Sequence, residues 1–474
     1  MKRSNLMSKA LLFEKRMHRL SPAQMIIISF IIVIVFGAFL LYLPISHNAG
    51  VYVSVQDAFF TATSAVCVTG LTTLTTAATW SIFGKIIILC LIQIGGLSLI
   101  TILAYFAIHL GKKVTLKERL TMQAAFNNAN LNGMVRMVIM VIRGTLICEG
   151  VGTIILFLFF LTKDMPWYQA LFFGLFHAVS AFCNAGFDLI GEQSLMPFST
   201  NILSNFVFMI LIIIGGIGFT VWGDVIQNIK TRVMSGVRHK KKMIFSLHSK
   251  LAIFTTLILL FLGTVYFIIA EYDNPATLGN LDWPNKIMAS VFQSVTLRTA
   301  GFSSISQSGL KEVSKLVSSV FMLIGGSPGG TAGGIKTVTI AIIFCSVWSV
   351  IKDYYSITAF GRTLSTKTLQ KALAIITMML LLWIGATALL SFTEHNMPVS
   401  HTFIDLMYET ASALGTVGLT AGITPFLSSA GKLLIMICMF VGRIGPITIV
   451  ISLASRINHG NTLIRYPEED IMIG

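Results

Sequence analysis

Four short stretches carry the residues of greatest chemical interest: SAVCVTGL at 64–71, SAFCNAGF at 180–187, VTLRTAGF at 295–302 and SALGTVGL at 412–419. They align without gaps and share Gly70, Gly186, Gly301 and Gly418, which follow one another at intervals of 116, 115 and 117 residues. Accidental matches do not keep such even spacing, so a fourfold internal repeat is the first expectation. Glycine enters left-handed backbone without steric cost, which lets successive carbonyls be turned to one side. Four such turns meeting on one axis would form a closed ring of main-chain oxygens, able to replace the water shell of a dehydrated potassium ion. The expected lining is Val68, Thr69 and Gly70; Asn184, Ala185 and Gly186; Thr299, Ala300 and Gly301; and Thr416, Val417 and Gly418. These side chains are mostly modest in size, so selectivity would reside in the main chain, with potassium held at the four glycines.

The flanking segments would have to hold these turns in place. Each motif follows a short, moderately polar run such as DAFFTATSAV, WYQALFFGLFHAVSA or FIDLMYETASAL. These runs are too short to cross a bilayer and fit re-entrant helices. Each such helix would aim its partly negative carboxyl end at the cation. Longer apolar runs at 23–43, 86–110, 202–223, 251–270 and 372–392 are long enough to span. Downstream of each motif lie Ile94-Gly95-Gly96, Ile214-Gly215-Gly216, Ile324-Gly325-Gly326 and Val441-Gly442-Arg443. The glycines there permit either close helix contact or a break beside a pathway. The repeat is therefore span, pore helix, filter loop, span. The expected fold is an all-α integral membrane protein with four such repeats around a pseudo-fourfold pore and eight transmembrane helices.

Composition supports a membrane chain. Of 474 residues, 55% are hydrophobic and 11% charged, well below the charge content of an ordinary soluble domain. The net charge of +15 would suggest nucleic acid in a soluble protein, but its placement points elsewhere. Lys and Arg concentrate in the amino-terminal tail and in alternate loops, notably Lys112 to Arg119, Lys230 to Lys250 and Lys352 to Lys371. The intervening loops are acidic or poor in charge. This positive-inside pattern places both termini in the cytoplasm and makes anionic lipid or a protein partner, not nucleic acid, the expected contact of the basic loops. The six cysteines lie in apolar or pore-like segments, which favours neither a disulfide framework nor a zinc cluster. Cys67 and Cys183 share one repeat position, but no local histidine or carboxylate joins them as a metal ligand.

The third repeat holds the most irregular stretch, formed by Gly325, Gly326, Ser327, Pro328, Gly329, Gly330, Thr331, Ala332, Gly333 and Gly334. So many glycines with a proline cannot sustain a helix. Because the apolar pattern resumes after Lys336, the break lies within the span, and its polar backbone must face a pathway or other protein groups. A hinged plug below the filter is the preferred reading, with a static kink as its rival. Arg443 replaces the second glycine of the last pair. An intramembrane arginine lines a cavity or pairs with a carboxylate. It is expected just below the filter as part of the gate, with a structural pair to Glu149 as the alternative. Arg298 is expected behind the filter, bonded to carbonyls or an acidic group. The GGIKT run lacks the glycine directly before lysine that a phosphate-binding loop requires, and no HExxH or nucleophile elbow occurs. No enzyme activity and no intrinsic cofactor is expected.

With these motifs in view, the chain resembles the membrane subunits of the Trk/Ktr/HKT potassium transporter superfamily, and most closely the Ktr type, over about residues 20–455. The resemblance implies that the four glycines are functional, that Gly70 favours potassium where serine would admit sodium, and that 325–334 is a mobile intramembrane gate. It also implies a homodimer docked on a cytosolic ring of KtrA-type nucleotide-binding regulatory subunits, with sodium as an activator. Any nucleotide would thus act through a separate partner, and the location would be a bacterial cell membrane. The expected division is tails at 1–19 and 456–474, repeats at 20–110, 135–229, 249–351 and 370–455, and cytoplasmic connections at 111–134, 230–248 and 352–369. Two other classes stay open: an alternating-access cation symporter, and a non-transporting receptor or scaffold.

Overall fold

The computed structural model describes residues 21–112, 114–126, 133–234 and 245–454. The expected tails at 1–19 and 456–474, and the basic residues Arg238 and Lys240 to Lys242, lie outside the described residues. The elements run as four sets of the same plan. In the first, α1 (Pro22–Tyr42) is followed by the short α2 (Val55–Val66), then α3 (Ile82–Leu97) and α4 (Leu99–His109). After α5 (Leu116–Ala125), the second set comprises α6 (Met134–Leu161), α7 (Trp167–Cys183), α8 (Ile202–Gly216) and α9 (Phe219–Met234). The third has α10 (Leu247–Ala270), α11 (Trp283–Thr296), α12 (Glu312–Leu323) and α13 (Thr337–Ile351). A two-residue hairpin pairing Thr358 with Thr363 leads to the fourth, with α14 (Thr366–Thr393), α15 (Phe403–Gly415), α16 (Ser429–Ile444) and α17 (Pro446–Ala454).

Four helices, α1, α6, α10 and α14, are each long and apolar enough to cross a bilayer, and up to six spans result if two bent pairs are each counted as one. The chain is a multi-pass, essentially all-α membrane protein. The expected spans at 86–110 and 202–223 are not continuous helices: α3 and α4 meet at 87° and α8 and α9 at 98°. Both breaks follow a glycine pair and coincide with positive φ, at Ser98 (69°) and Gly218 (95°). In the third repeat the break is the glycine-rich loop itself, and in the fourth it falls at Gly445. Conversely, α6 is a long apolar helix that no uninterrupted run announced, because Arg136, Arg143 and Glu149 punctuate it.

Polar caps define where helices start. Ser21 and Gln24 form a reciprocal capping box at α1, and Ser54, Ser81, Ser246, Ser365 and Ser428 accept amide hydrogen bonds at other amino termini. The long helices turn Phe36, Phe39, Ile154, Phe261 and Leu381 outward, the arrangement expected of a surface solvated by lipid. The short helices α2, α7, α11 and α15 are instead buried through their second halves, so they form the core around which the longer helices stand.

Candidate functional site

The short core helices end in the aligned motifs. In each repeat the residue two before the shared glycine and the glycine itself both have positive φ: Val68 and Gly70, Asn184 and Gly186, Thr299 and Gly301, Thr416 and Gly418. For a β-branched residue this is a true outlier, costing about 1–2 kcal/mol against right-handed backbone. Backbone hydrogen bonds impose it. Val68, Asn184 and Thr416 donate to Ala65, Ala181 and Ala413, while the next residues, Thr69, Ala185 and Val417, reach back to the carbonyls of Ser64, Ser180 and Ser412. The side-chain amide of Asn184 lies 3.1 Å from the Ala181 carbonyl and 3.2 Å from that of Ile212, which holds it behind the turn.

Serine hydroxyls complete the support. Ser64 and Ser412 accept from the amides of Gly70 and Gly418, each at 3.0 Å. Ser180 donates to the Phe187 carbonyl at 2.7 Å. Repeat 3 has Val295 at the aligned position, and Thr296, one residue later, donates instead to Phe302. These hydroxyls were not among the expected site residues, although serine heads three of the four aligned stretches.

The four glycines come together. A Cβ placed on Gly70 would lie 2.5 Å from the Ala185 carbonyl and 3.0 Å from Gly186 Cα. One on Gly186 would lie 2.8 Å from Gly301 Cα, one on Gly301 would lie 2.7 Å from the Val417 carbonyl, and one on Gly418 would meet Thr69 and Gly70. The repeats therefore follow one another around a ring in chain order. The buried hydroxyls of Thr69, Thr299 and Thr416 have no hydrogen-bond partner among the described residues.

The glycine pairs pack against the ends of the short helices. A Cβ on Gly95, Gly215 or Gly442 would overlap the carbonyl of Val66, Phe182 or Leu414, respectively. In three repeats the glycine at this first position thus allows close approach to the short helix just before the chain breaks.

The loop 325–334 bends across the same region. Its neck is pinched by Gly325 N–H to Ile335 O and Ile335 N–H to Leu323 O, both 2.9 Å. Ser327 and Thr331 donate backbone amides to Gly216 and Gly215, and the Thr331 hydroxyl donates to Phe182 O at 3.1 Å. Gly329 accepts from the Phe219 amide, and a Cβ on Gly333 would overlap the Thr416 side chain. Ser327 and Thr337 hydroxyls are bonded at 2.9 Å across the loop base. Lys336 reaches the carbonyls of Ala332 and Gly333.

Arg443 donates to Thr331 of the loop and to Gly95 and Gly96 of the first repeat. It bridges three repeats through main-chain oxygens. Its hydrogen bonds do not include Glu149, which is buried and instead accepts from Gln93 at 3.1 Å and from the Cys183 thiol at 3.8 Å. Arg298 donates to the Thr256 hydroxyl and the Gly325 carbonyl at 3.4 and 3.5 Å, beside a cavity of about 10 Å³. Cys67 and Cys183 are free and buried, and among the described residues no group of three metal-ligating side chains forms.

The fold and this convergence of four turns define a class: multi-pass, all-α membrane proteins built from four similar repeats. Residues 5–462 match the family described as TrkH, cation transport protein. The chain is 39% identical to the potassium/sodium uptake protein NtpJ of Enterococcus hirae over 456 residues, covering 96% of this chain and 98% of that protein. It is also 39% identical to the Ktr system potassium uptake protein B of Bacillus subtilis, covering 96% of this chain and 97% of that one. The crystal structure of the potassium transporter TrkH from Vibrio parahaemolyticus shares the fold, with a TM-score of 0.66 at 18% identity, over 90% of this chain and 84% of that one. The chain belongs to the Trk/Ktr/HKT superfamily of cation transport proteins and closely matches its Ktr-type membrane subunits; it is a transport protein, not a catalytic enzyme.

Proposed function

We propose that this chain is the potassium-conducting membrane subunit of a Ktr-type uptake system. The observation that carries the reading is the left-handed turn repeated four times around one ring, at Gly70, Gly186, Gly301 and Gly418. Main-chain oxygens of Val68–Gly70, Asn184–Gly186, Thr299–Gly301 and Thr416–Gly418 replace the hydration shell of potassium. The unpartnered hydroxyls of Thr69, Thr299 and Thr416 leave further polar contacts for the ion or its water. Each second helix, although broken, completes a crossing, so that eight crossings put both termini in the cytoplasm.

Loop 325–334 is the gate. It occupies the inner end of the ring and is held by carbonyls of repeat 2 and by Arg443 of repeat 4, contacts that can be exchanged for water when it withdraws. The relatives named as Ktr system proteins support a partner subunit, and the reading includes a homodimer docked on a cytosolic KtrA-type nucleotide-binding ring. The name of the Enterococcus relative, a potassium/sodium uptake protein, supports a sodium contribution to uptake.

Flux measured on the purified chain in proteoliposomes, with each cation varied independently, tests the reading. Selective potassium flux without an obligatory counter-ion is expected. Strict stoichiometric coupling would replace the channel by a carrier, and no cation flux from a correctly folded protein would remove the transport reading altogether.

A further inference from the structure

The chain just beyond each filter glycine must also be held, or the outermost oxygens of the ring would drift. The position nine residues before the glycine is Thr61, His177, Phe292 and Glu409 in the four repeats. The position three residues after it is Thr73, Leu189, Ser304 and Ala421. In repeat 4 the buried Glu409 carboxylate accepts from the Ala421 amide at 3.0 Å, from the Thr424 hydroxyl at 2.8 Å and from the Thr420 hydroxyl. In repeat 2 the buried His177 ring does the equivalent work, with Nε2 3.2 Å from the Leu189 amide. Its tautomer follows from the other nitrogen: Nδ1 lies 2.7 Å from the Phe173 carbonyl, so it carries the proton and leaves Nε2 as the acceptor.

Two unrelated side chains thus take the same amide in the same register, which packing alone does not require. The other two repeats cannot copy this strap. The Thr61 hydroxyl has no partner, and Phe292 has no acceptor. Repeat 1 is tied through Asp57 to the Thr73 hydroxyl at 2.8 Å, and repeat 3 through the reciprocal amides of Gln293 and Gln307. Because the repeats follow chain order around the ring, the His177 and Glu409 straps face one another across it. Glu409 belongs to neither ion pair found among the described residues, and its hydrogen bonds run to Thr420, Ala421 and Thr424 of the exit strand.

We propose that Glu409 and His177 are positioning residues for ion selection, fixing the width of the outer filter along one diagonal by holding the amides of Ala421 and Leu189. This rests on the potassium-conducting reading. Neither side chain touches the ion. Each keeps its strand from relaxing to the spacing that a smaller cation prefers.

The full chain in proteoliposomes, assayed separately for potassium and sodium flux, tests it with Glu409→Met, Glu409→Gln and His177→Phe. Glu409→Met and His177→Phe keep volume and remove the acceptor. Each is expected to lower the potassium-to-sodium flux ratio by about tenfold. Glu409→Gln retains an oxygen for the Ala421 amide and is expected to restore the ratio that Glu409→Met loses. An unchanged ratio in folded Glu409→Met or His177→Phe overturns the proposal. So does a Gln variant as unselective as Met, because charge and not the tether would then matter. If Glu409→Met fails to assemble, the His177→Phe and Glu409→Gln results decide. Failure of the unsubstituted chain to conduct potassium would sink the parent reading and this inference with it, whereas normal selective flux with insensitive variants sinks this inference alone.

Discussion

At the scale of single residues, the site depends on backbone shapes that most side chains resist. Gly70 sits at φ 97°, and a Cβ there would press on Ala185 of the next repeat. Gly70→Ser therefore adds both strain and a displaced carbonyl to the ring. If the ring selects, a distortion of about 1–2 kcal/mol lowers the preference for potassium over sodium by about tenfold. Competition flux checks this, and unchanged selectivity in a folded variant would remove Gly70 from the filter. The glycines were legible in the sequence because a tight carbonyl turn demands them. The left-handed Val68, Thr299 and Thr416 were not legible as such. Their intrinsic preference is the opposite, and only bonds to the preceding helix override it. Arg298 illustrates a middle case: its type led to the expectation of a carbonyl or acidic partner, but its neighbours Thr256 and Gly325 are distant in sequence.

At the scale of elements, the short helices were readable from length and the glycine-rich loop from composition. The bends at Ser98 and Gly218 were hidden, because apolar residues continue through both and periodicity cannot register a change of direction. Close packing of Gly95, Gly215 and Gly442 on neighbouring carbonyls is a tertiary cause. The loop 325–334 has a neck closed by two backbone bonds, so residues can be removed from its tip without opening its base. Deleting residues 329–332 removes the contacts to Phe219, Phe182 and Arg443 together. The expected result is a several-fold rise in basal potassium flux with no change in assembly. Arg443→Gln should give a smaller rise, since Gln reaches fewer carbonyls. Flux in the absence of any regulatory subunit separates the outcomes: a plug raises it, whereas a static kink leaves it unchanged.

At the scale of the whole molecule, the four repeats are fastened to one another by unequal means. Lys85, Asn205, Lys315 and Lys432 stand ten residues before Gly95, Gly215, Gly325 and Gly442, respectively. Asp57, Phe173, Met288 and Asp405 each stand thirteen before one of the four shared glycines. Where both positions are charged, consecutive repeats are clasped: Lys315 to Asp405 at 2.7 Å joins repeats 3 and 4, and Lys432 to Asp57 at 3.0 Å joins repeat 4 back to repeat 1. Where the acid is absent, Lys85 bonds the Ala77 carbonyl and Asn205 donates to the Phe198 and Asn201 carbonyls just ahead of its own helix, so among the described residues repeat 2 has no such clasp to either neighbour. Repeat 2 is instead fastened to repeat 3 by uncharged bonds, from the loop to Gly215 and Gly216 and between Ser194, Leu195 and Ser303. Double-mutant cycles with Lys432→Met and Asp57→Asn, and with Lys315→Met and Asp405→Asn, are expected to give coupling energies of about 1–3 kcal/mol from thermal unfolding. The paired side chains are only 10–16% exposed, so salt has poor access to them. Coupling should survive from about 0.1 M to about 1 M salt, a range over which exposed pairs are screened away. Coupling that vanishes with salt, or is absent at low salt, would show that the pairs are solvated contacts and that packing alone closes the ring between repeats 3, 4 and 1.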